Sequence, residues 1–262
     1  MAKENNLKKS KLFVLDMDGT FYLGDKIIDG SLDFIEKLES TGKQYLFFTN
    51  NSSKTSDFYV KKLESMGLKI RDDQIMTSGD VTINYLKKYY QDKTIYLVAT
   101  DIVEKSFRES GIKLGSENAD AVVISFDTSL TYEKLSIACT LIRNGSDFIA
   151  THPDFNCPTE DGFIPDCGAM CALITASTDK KPKYLGKPNR ETVDSILDRT
   201  GLELDDIVFV GDRLYTDIAT AYNHGATSLL VLSGETKLED VENSDVKPDF
   251  IFENLKEVAK EL

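Results

Sequence analysis

Short apolar runs that alternate with helical patterns are the feature that most narrows what this chain can fold into. Leu12–Leu15, Tyr45–Phe48, Ile95–Ala99, Ala121–Phe126, Ile207–Val210 and Ser228–Leu232 are rich in β-branched and aromatic residues. Runs of that length and composition suit buried strands. Between them, Leu32–Leu38 follows Ser31, a candidate N-cap, and precedes Gly42. Ser56–Met66 places Phe58, Val60, Leu63 and Met66 at helical spacing and stops at Gly67. Further helical patterns cover Val81–Tyr90, Ile102–Ser110, Tyr132–Arg143, Thr192–Arg199 and Tyr215–Asn223. Strand alternating with helix predicts an α/β fold with a mostly parallel sheet covered by helices.

Composition narrows the partners. A chain of 262 residues can form one large domain or two modest ones, and its 41% hydrophobic and 29% charged residues are ordinary for a globular protein. The net charge of -13 argues against nucleic acid as a partner, because phosphate backbones need basic surfaces. Basic residues Lys3, Lys8, Lys9 and Lys11 precede an apolar run that Asp16 cuts short, too short for a signal peptide. No stretch approaches the ~18 apolar residues of a membrane helix. The expectation is a cytoplasmic protein with no membrane partner. Cys139, Cys157, Cys167 and Cys171 are then reduced thiols.

In parallel sheets, chemistry sits just past the carboxyl ends of the strands. After Leu12–Leu15 comes Asp16-Met17-Asp18-Gly19-Thr20, and after Tyr45–Phe48 comes Thr49-Asn50-Asn51-Ser52. Gly186-Lys187-Pro188 follows Tyr184–Leu185, and Gly211-Asp212-Arg213, with Asp217 close behind, follows Ile207–Val210. Crowded carboxylates resist ionising unless a cation neutralises them, and oxygen ligands of this kind suit Mg²⁺. Asp16 could then attack phosphorus, and Asp18 could protonate the leaving oxygen. Thr49 and the backbone N–H groups around Asn50 would hold phosphate oxygens, and Lys187 would supply a cation. Singly, Asp-Gly is a common turn and Lys187 a surface lysine. Four strand ends with complementary chemistry are hard to obtain by accident.

Together these motifs resemble the haloacid dehalogenase superfamily of phosphotransferases. Phe13–Thr20 resembles its first motif, Thr49 its second, Lys187 its third, and Gly211-Asp212 through Asp217 its fourth. Phe48–Ser52, Gly186–Pro188 and Gly211–Leu214 look like the NagD and 4-nitrophenylphosphatase-like branch, and Pro165–Cys171 like the NagD form. The resemblance implies a Rossmann-like core at 1–79 plus 182–262, with an α/β cap inserted at 80–181. It implies Asp16 as nucleophile and metal ligand, and Asp18 as acid and base with its carbonyl on the metal. It further implies phosphate binding by Thr49 with Asn50 and Asn51 shaping the loop, Lys187 at nucleophile and phosphate, Asp212 as metal ligand, and Asp217 as a supporting carboxylate. The activity implied is hydrolysis of small phosphomonoesters (nucleoside monophosphates, sugar phosphates or similar) through an aspartyl-phosphate. The branch often has Asp at the position of Tyr215, which is not a ligand in the pattern.

The cap loop Thr151–Pro158 carries Asp154, Asn156 and Cys157, candidates for substrate specificity. The branch commonly has Asn where His152 stands, so His152 either contacts substrate or closes the turn, and the turn is favoured. Cys167 and Cys171 could share a helix face; without a C-x-x-C pair, buried thiols are expected over zinc. Two other readings stand beside the phosphatase: a phosphotransferase or phosphomutase of the same scaffold, and a non-catalytic phosphometabolite-binding module. The sequence leaves the substrate and a homodimer open.

Overall fold

The structure is a computed structural model describing residues 6–159 and 162–262; Lys3 lies outside them. Among the described residues the strands run β1 Leu12–Leu15, β2 Tyr22–Leu23, β3 Lys26–Ile27, β4 Gln44–Thr49, β5 Ile75–Thr77, β6 Ile95–Val98 and β7 Ala121–Ile124. They continue with β8 Asp147–Ala150, β9 Asn156–Thr159, β10 Gly162–Pro165, β11 Lys183–Tyr184, β12 Ile207–Gly211, β13 Thr227–Val231 and β14 Phe250–Phe252. The chain divides into two compact units: Met1–Thr49 with Val60–Met76 and Val193–Leu262, and Asn50–Tyr59 with Thr77–Thr192.

In the first unit a sheet is ordered β14-β13-β12-β1-β4-β5. β1 pairs parallel with β12 (Leu12 opposite Ile207) and with β4 (Leu12 opposite Gln44), so the three strands reach their carboxyl ends together. β1, β12 and β13 are buried at every residue, as expected of strands covered on both faces. The Phe34 ring, on helix Ser31–Ser40, packs edge-on against Phe13 of β1 at 5.8 Å, and Phe21 meets Phe47 in the same way at 4.8 Å. Ser31 is not the N-cap that the sequence pattern suggests. Gly30 takes that place at φ 81°, and a Cβ there would strike Lys256, on helix Leu255–Ala259. Close packing of that helix, invisible locally, requires the glycine.

In the second unit a parallel sheet is ordered β11-β8-β7-β6. Helices Tyr132–Arg143 and Cys167–Thr178 bury Cys139, Ile142, Cys167, Met170, Cys171 and Ile174 against Val122, Ile124 and Phe148. Cys167 and Cys171 are thus buried thiols on a helix, and none of the four cysteines is in a disulfide. The segment 80–181 lies within this unit, which also takes in Asn50–Tyr59. Ser52 Oγ accepts from Phe126 N–H at 2.9 Å, and Thr100 Oγ1 donates to Ser53 O at 2.9 Å. The end of the expected loop is instead a strand: β9 pairs antiparallel with β10. Phe163 of that hairpin stays exposed, as does Phe155 just before it.

Because Phe34 is fully buried, Phe34→Ala should destabilise the protein by about 3–5 kcal/mol. Urea unfolding measures it, and a loss below about 1 kcal/mol would place the ring outside the packed core.

Candidate active site

The parallel register brings Asp16, after β1, and Asp212, after β12, to the same edge of the first unit's sheet. Asp16 N–H donates to Val210 O at 2.9 Å, which continues the ladder to the last residue before the chain turns. Gly19 then bends at φ 86°, and a Cβ there would lie 2.5 Å from Asp212 Oδ2. A Cβ at Gly234 would overlap the same carboxylate, and one at Gly211 would overlap Asp217. Three glycines therefore make room for two buried carboxylates. Asp217 lies in a π-helical turn, Leu214–Ile218, and its Oδ2 accepts from Arg213 N–H at 3.1 Å.

Asp16, Asp212 and Asp217 each place a carboxylate oxygen within 4.8 Å of the others. Asp212 accepts from Thr20 Oγ1 at 3.2 Å and from Glu235 N–H at 2.7 Å. Burial, joined by the Asp217 charge, nonetheless pushes Asp212 up to about 6. Burial also raises Asp18 above the ordinary carboxylate range, against the pull of Lys62 and Arg213. Burial opposes the Arg213 charge, but Asp16 and Asp212 more than offset it and raise its pKa. Arg213 also pairs with Glu235, Nε to Oε2 at 3.0 Å. An all-oxygen donor set with surplus negative charge fits a hard divalent cation. Thr49 sits half-buried at the end of β4.

The second unit holds the other sequence-selected residues. Asn50 clasps the Lys187 backbone: its Oδ1 accepts from Lys187 N–H at 2.9 Å and its Nδ2 donates to Lys187 O at 3.0 Å. The same Nδ2 donates to Asp154 Oδ2 at 3.1 Å. Lys187 is buried. Asn51 Oδ1 accepts from Ser53 N–H and Oγ at 3.0 and 2.7 Å, and its Nδ2 approaches Cys157 Sγ at 3.8 Å. Asn156 is exposed, Cys157 half-buried and Asp154 nearly buried. His152 is fully buried, with Nε2 2.9 Å from Asp166 Oδ1.

Arg213 and Thr20 stand in the strand-end motifs without a role of their own, and the Ser233-Gly234-Glu235 turn is absent from them. The turn was within reach, since it follows the apolar run Ser228–Leu232, whose strand end went unread. The role of Thr20 toward Asp212 has no local signal, because the two are 192 positions apart.

Comparison with known proteins decides the family. The family model described as haloacid dehalogenase-like hydrolase matches residues 13–113, and that described as HAD-hydrolase-like matches 184–258. The chain is 35% identical over 257 residues to the acid sugar phosphatase of Staphylococcus aureus (strain MRSA252), covering 98% of this chain and 99% of that one. The chain belongs to the haloacid dehalogenase-like hydrolases. The crystal structure of 4-nitrophenylphosphatase from Thermotoga maritima matches with TM-score 0.94 and 48% identity, over 97% of this chain and 98% of that one. NagD from E. coli K-12 matches with TM-score 0.89 and 28% identity, over 95% and 98%. The hydrolase is a NagD-like phosphatase with a Rossmann-like core and a cap. No helix among its described residues is long and apolar enough to cross a membrane.

Asp212 is raised above its unfolded value of about 3.9, so the ion-free hydrolase loses stability as pH rises through about 6. A divalent cation should restore it. Mg²⁺ should raise the melting temperature at about pH 7.5 and progressively less below about pH 6, where protons compete. A shift of equal size across that range would remove Asp212 from the cation site.

Proposed function

We propose that this hydrolase is a Mg²⁺-dependent phosphatase of small phosphomonoesters that works through an aspartyl-phosphate on Asp16. The observation that carries this reading is the carboxylate cluster of Asp16, Asp212 and Asp217, with the raised acid Asp18 two residues from Asp16. Asp16 Oδ attacks phosphorus as the ester P–O bond breaks, and Asp18 gives its proton to the leaving alkoxide. The Asp18 carboxylate then takes a proton from the water that attacks phosphorus, which releases Asp16 and inorganic phosphate. Asp16, the Asp18 carbonyl and Asp212 would hold Mg²⁺, with Asp217 in support. When bound, that ion neutralises charge on carboxylate and phosphate oxygens. Thr49 and the backbone about Asn50 and Asn51 grip the phosphate, and Lys187 balances the charge of the transferring group.

We assign the core to 1–79 plus 182–262 and the cap to 80–181. The core's polar groups are committed to phosphate and metal, so discrimination falls to the cap, at Asp154, Asn156 and Cys157. The relatives named acid sugar phosphatase support sugar phosphates within that substrate range, which also includes nucleoside monophosphates. Four cysteines outside any disulfide agree with a cytoplasmic setting.

Asp16→Asn should lower turnover at least ~10³-fold while the fold is kept. Near-normal release of phosphate from 4-nitrophenyl phosphate, with deamidation excluded, would end the mechanism. Asp18→Asn should slow phosphoenzyme formation ~10²–10⁴-fold with an alkyl phosphate but less with 4-nitrophenyl phosphate, whose phenolate needs no proton. Rapid quench measures both, and equal damage would take the acid role from Asp18.

A further inference from the structure

His152 is a buried imidazole in the second unit that the proposed chemistry does not use. Its side chain is fully buried just after β8 and meets two helix ends and the loop beyond β4. On one side, Nε2 lies 2.9 Å from Asp166 Oδ1, and the same oxygen accepts from Cys167 N–H at 2.6 Å to cap helix Cys167–Thr178. On the other side, Nδ1 lies 2.9 Å from Thr151 Oγ1, and 3.4 Å from both Ser52 Oγ, beyond β4, and Ser78 Oγ, on helix Ser78–Tyr89. Asp154 and Cys167 are the other ionisable groups facing it.

The contacts on the Nδ1 side bear on the Lys187 segment or on the loop that clasps it. Thr151 O accepts from Gly186 N–H at 2.6 Å, immediately before Lys187. A Cβ at Gly186 would lie 2.6 Å from Thr151 O, 2.7 Å from Asn50 Oδ1 and 2.9 Å from His152 Cβ, so this backbone has no slack. Ser78 Oγ donates to Asn50 O at 2.5 Å, and Ser52 Oγ lies 2.8 Å from Thr151 Oγ1. Asn50 in turn holds both the N–H and the carbonyl of Lys187.

We propose that His152, held by Asp166, is a positioning residue that sets Lys187 through the Thr151–Gly186 hydrogen bond and the Asn50 clasp. Burial opposes the imidazolium, but Asp166, joined by Cys167 and Asp154, outweighs it and pushes the group up to about 9. In the imidazolium form both ring nitrogens are donors, Nε2–H to Asp166 and Nδ1–H to the Thr151 hydroxyl, whereas the neutral ring keeps one of the two. A neutral side chain of other shape cannot satisfy both partners, and one left unpaired in a buried site loosens its neighbours. The importance of Lys187 to turnover rests on the phosphatase reading; its placement by His152 does not.

The test therefore reads placement and turnover separately. Exposed lysines are acetylated with acetic anhydride and sites are quantified by mass spectrometry, with Lys93 and Lys105 as internal references. In His152→Ala, Lys187, 3% exposed in the native fold, should label at least ~5-fold faster, with the references unchanged. Turnover of 4-nitrophenyl phosphate should fall ~10–100-fold with KM within ~3-fold, as expected of a displaced catalytic group. Ile174→Ala is the control: it opens a cavity in the same helix core, away from the network, and should do neither at a similar loss of melting temperature. Should His152→Ala fail to fold, His152→Gln, which keeps one donor toward Asp166, should give smaller changes in the same direction. Unchanged Lys187 labelling in the folded variant, or equal labelling in Ile174→Ala, would overturn the proposal. If labelling rises but the wild-type protein releases no phosphate, the placement stands and the phosphatase reading falls. If turnover falls while labelling stays fixed, the reverse holds.

Discussion

Asp16, Asp212 and Asp217 hold carboxylate oxygens within 4.8 Å of one another, largely out of water. Like charges so placed repel, and desolvation penalises each one. The surroundings of the first unit's sheet edge answer that constraint. Gly19, Gly211 and Gly234 leave out side chains that would collide with the carboxylates. Thr20 and the Glu235 N–H donate to Asp212, and the Arg213 N–H donates to Asp217. Arg213 also brings a guanidinium into the field of Asp16 and Asp212. These measures are incomplete, since Asp212 still rises to about 6, and the remaining deficit is what a divalent cation would fill.

The second unit solves a different problem with the same economy of groups. A buried lysine must be held where its backbone, and not only its side chain, is specified. Asn50 does this by pairing with both the backbone N–H and the backbone carbonyl of Lys187. Its amide is oriented in turn by Asp154, and its carbonyl accepts from Ser78. His152 joins those elements to the cap of helix Cys167–Thr178. Buried polar networks of this sort rigidify only when every member is satisfied, so they concentrate sensitivity in a few side chains.

Much of this was legible in the chain. The apolar runs at Leu12–Leu15, Ile207–Val210 and Ser228–Leu232 matched strands within a residue at either end, because strands covered on both faces have no polar positions to blur them. Helix Tyr132–Arg143 matched residue for residue. Short elements were less visible: β5 and β14 are three residues long and carry no period, while β11 showed only as the segment Tyr184–Leu185, one residue late. The β9–β10 hairpin read as a loop, since Pro158 and Pro165 disfavour strands in general yet are tolerated in an isolated two-stranded ribbon.

What the sequence determined by itself was the set of chemical groups at each strand end. Residue order alone places Asp16, Asp18, Thr49 and Asp212 just beyond apolar runs, and parallel sheets put such positions on one edge. What the tertiary structure decided was the state of those groups. That burial and neighbouring charge push Asp212 up to about 6, that Gly30 caps a helix in place of Ser31, and that His152 is fully buried with Ser52 and Ser78 beside it depend on partners far away in sequence. Desolvation and hydrogen bonding act through space, so a local pattern cannot contain them.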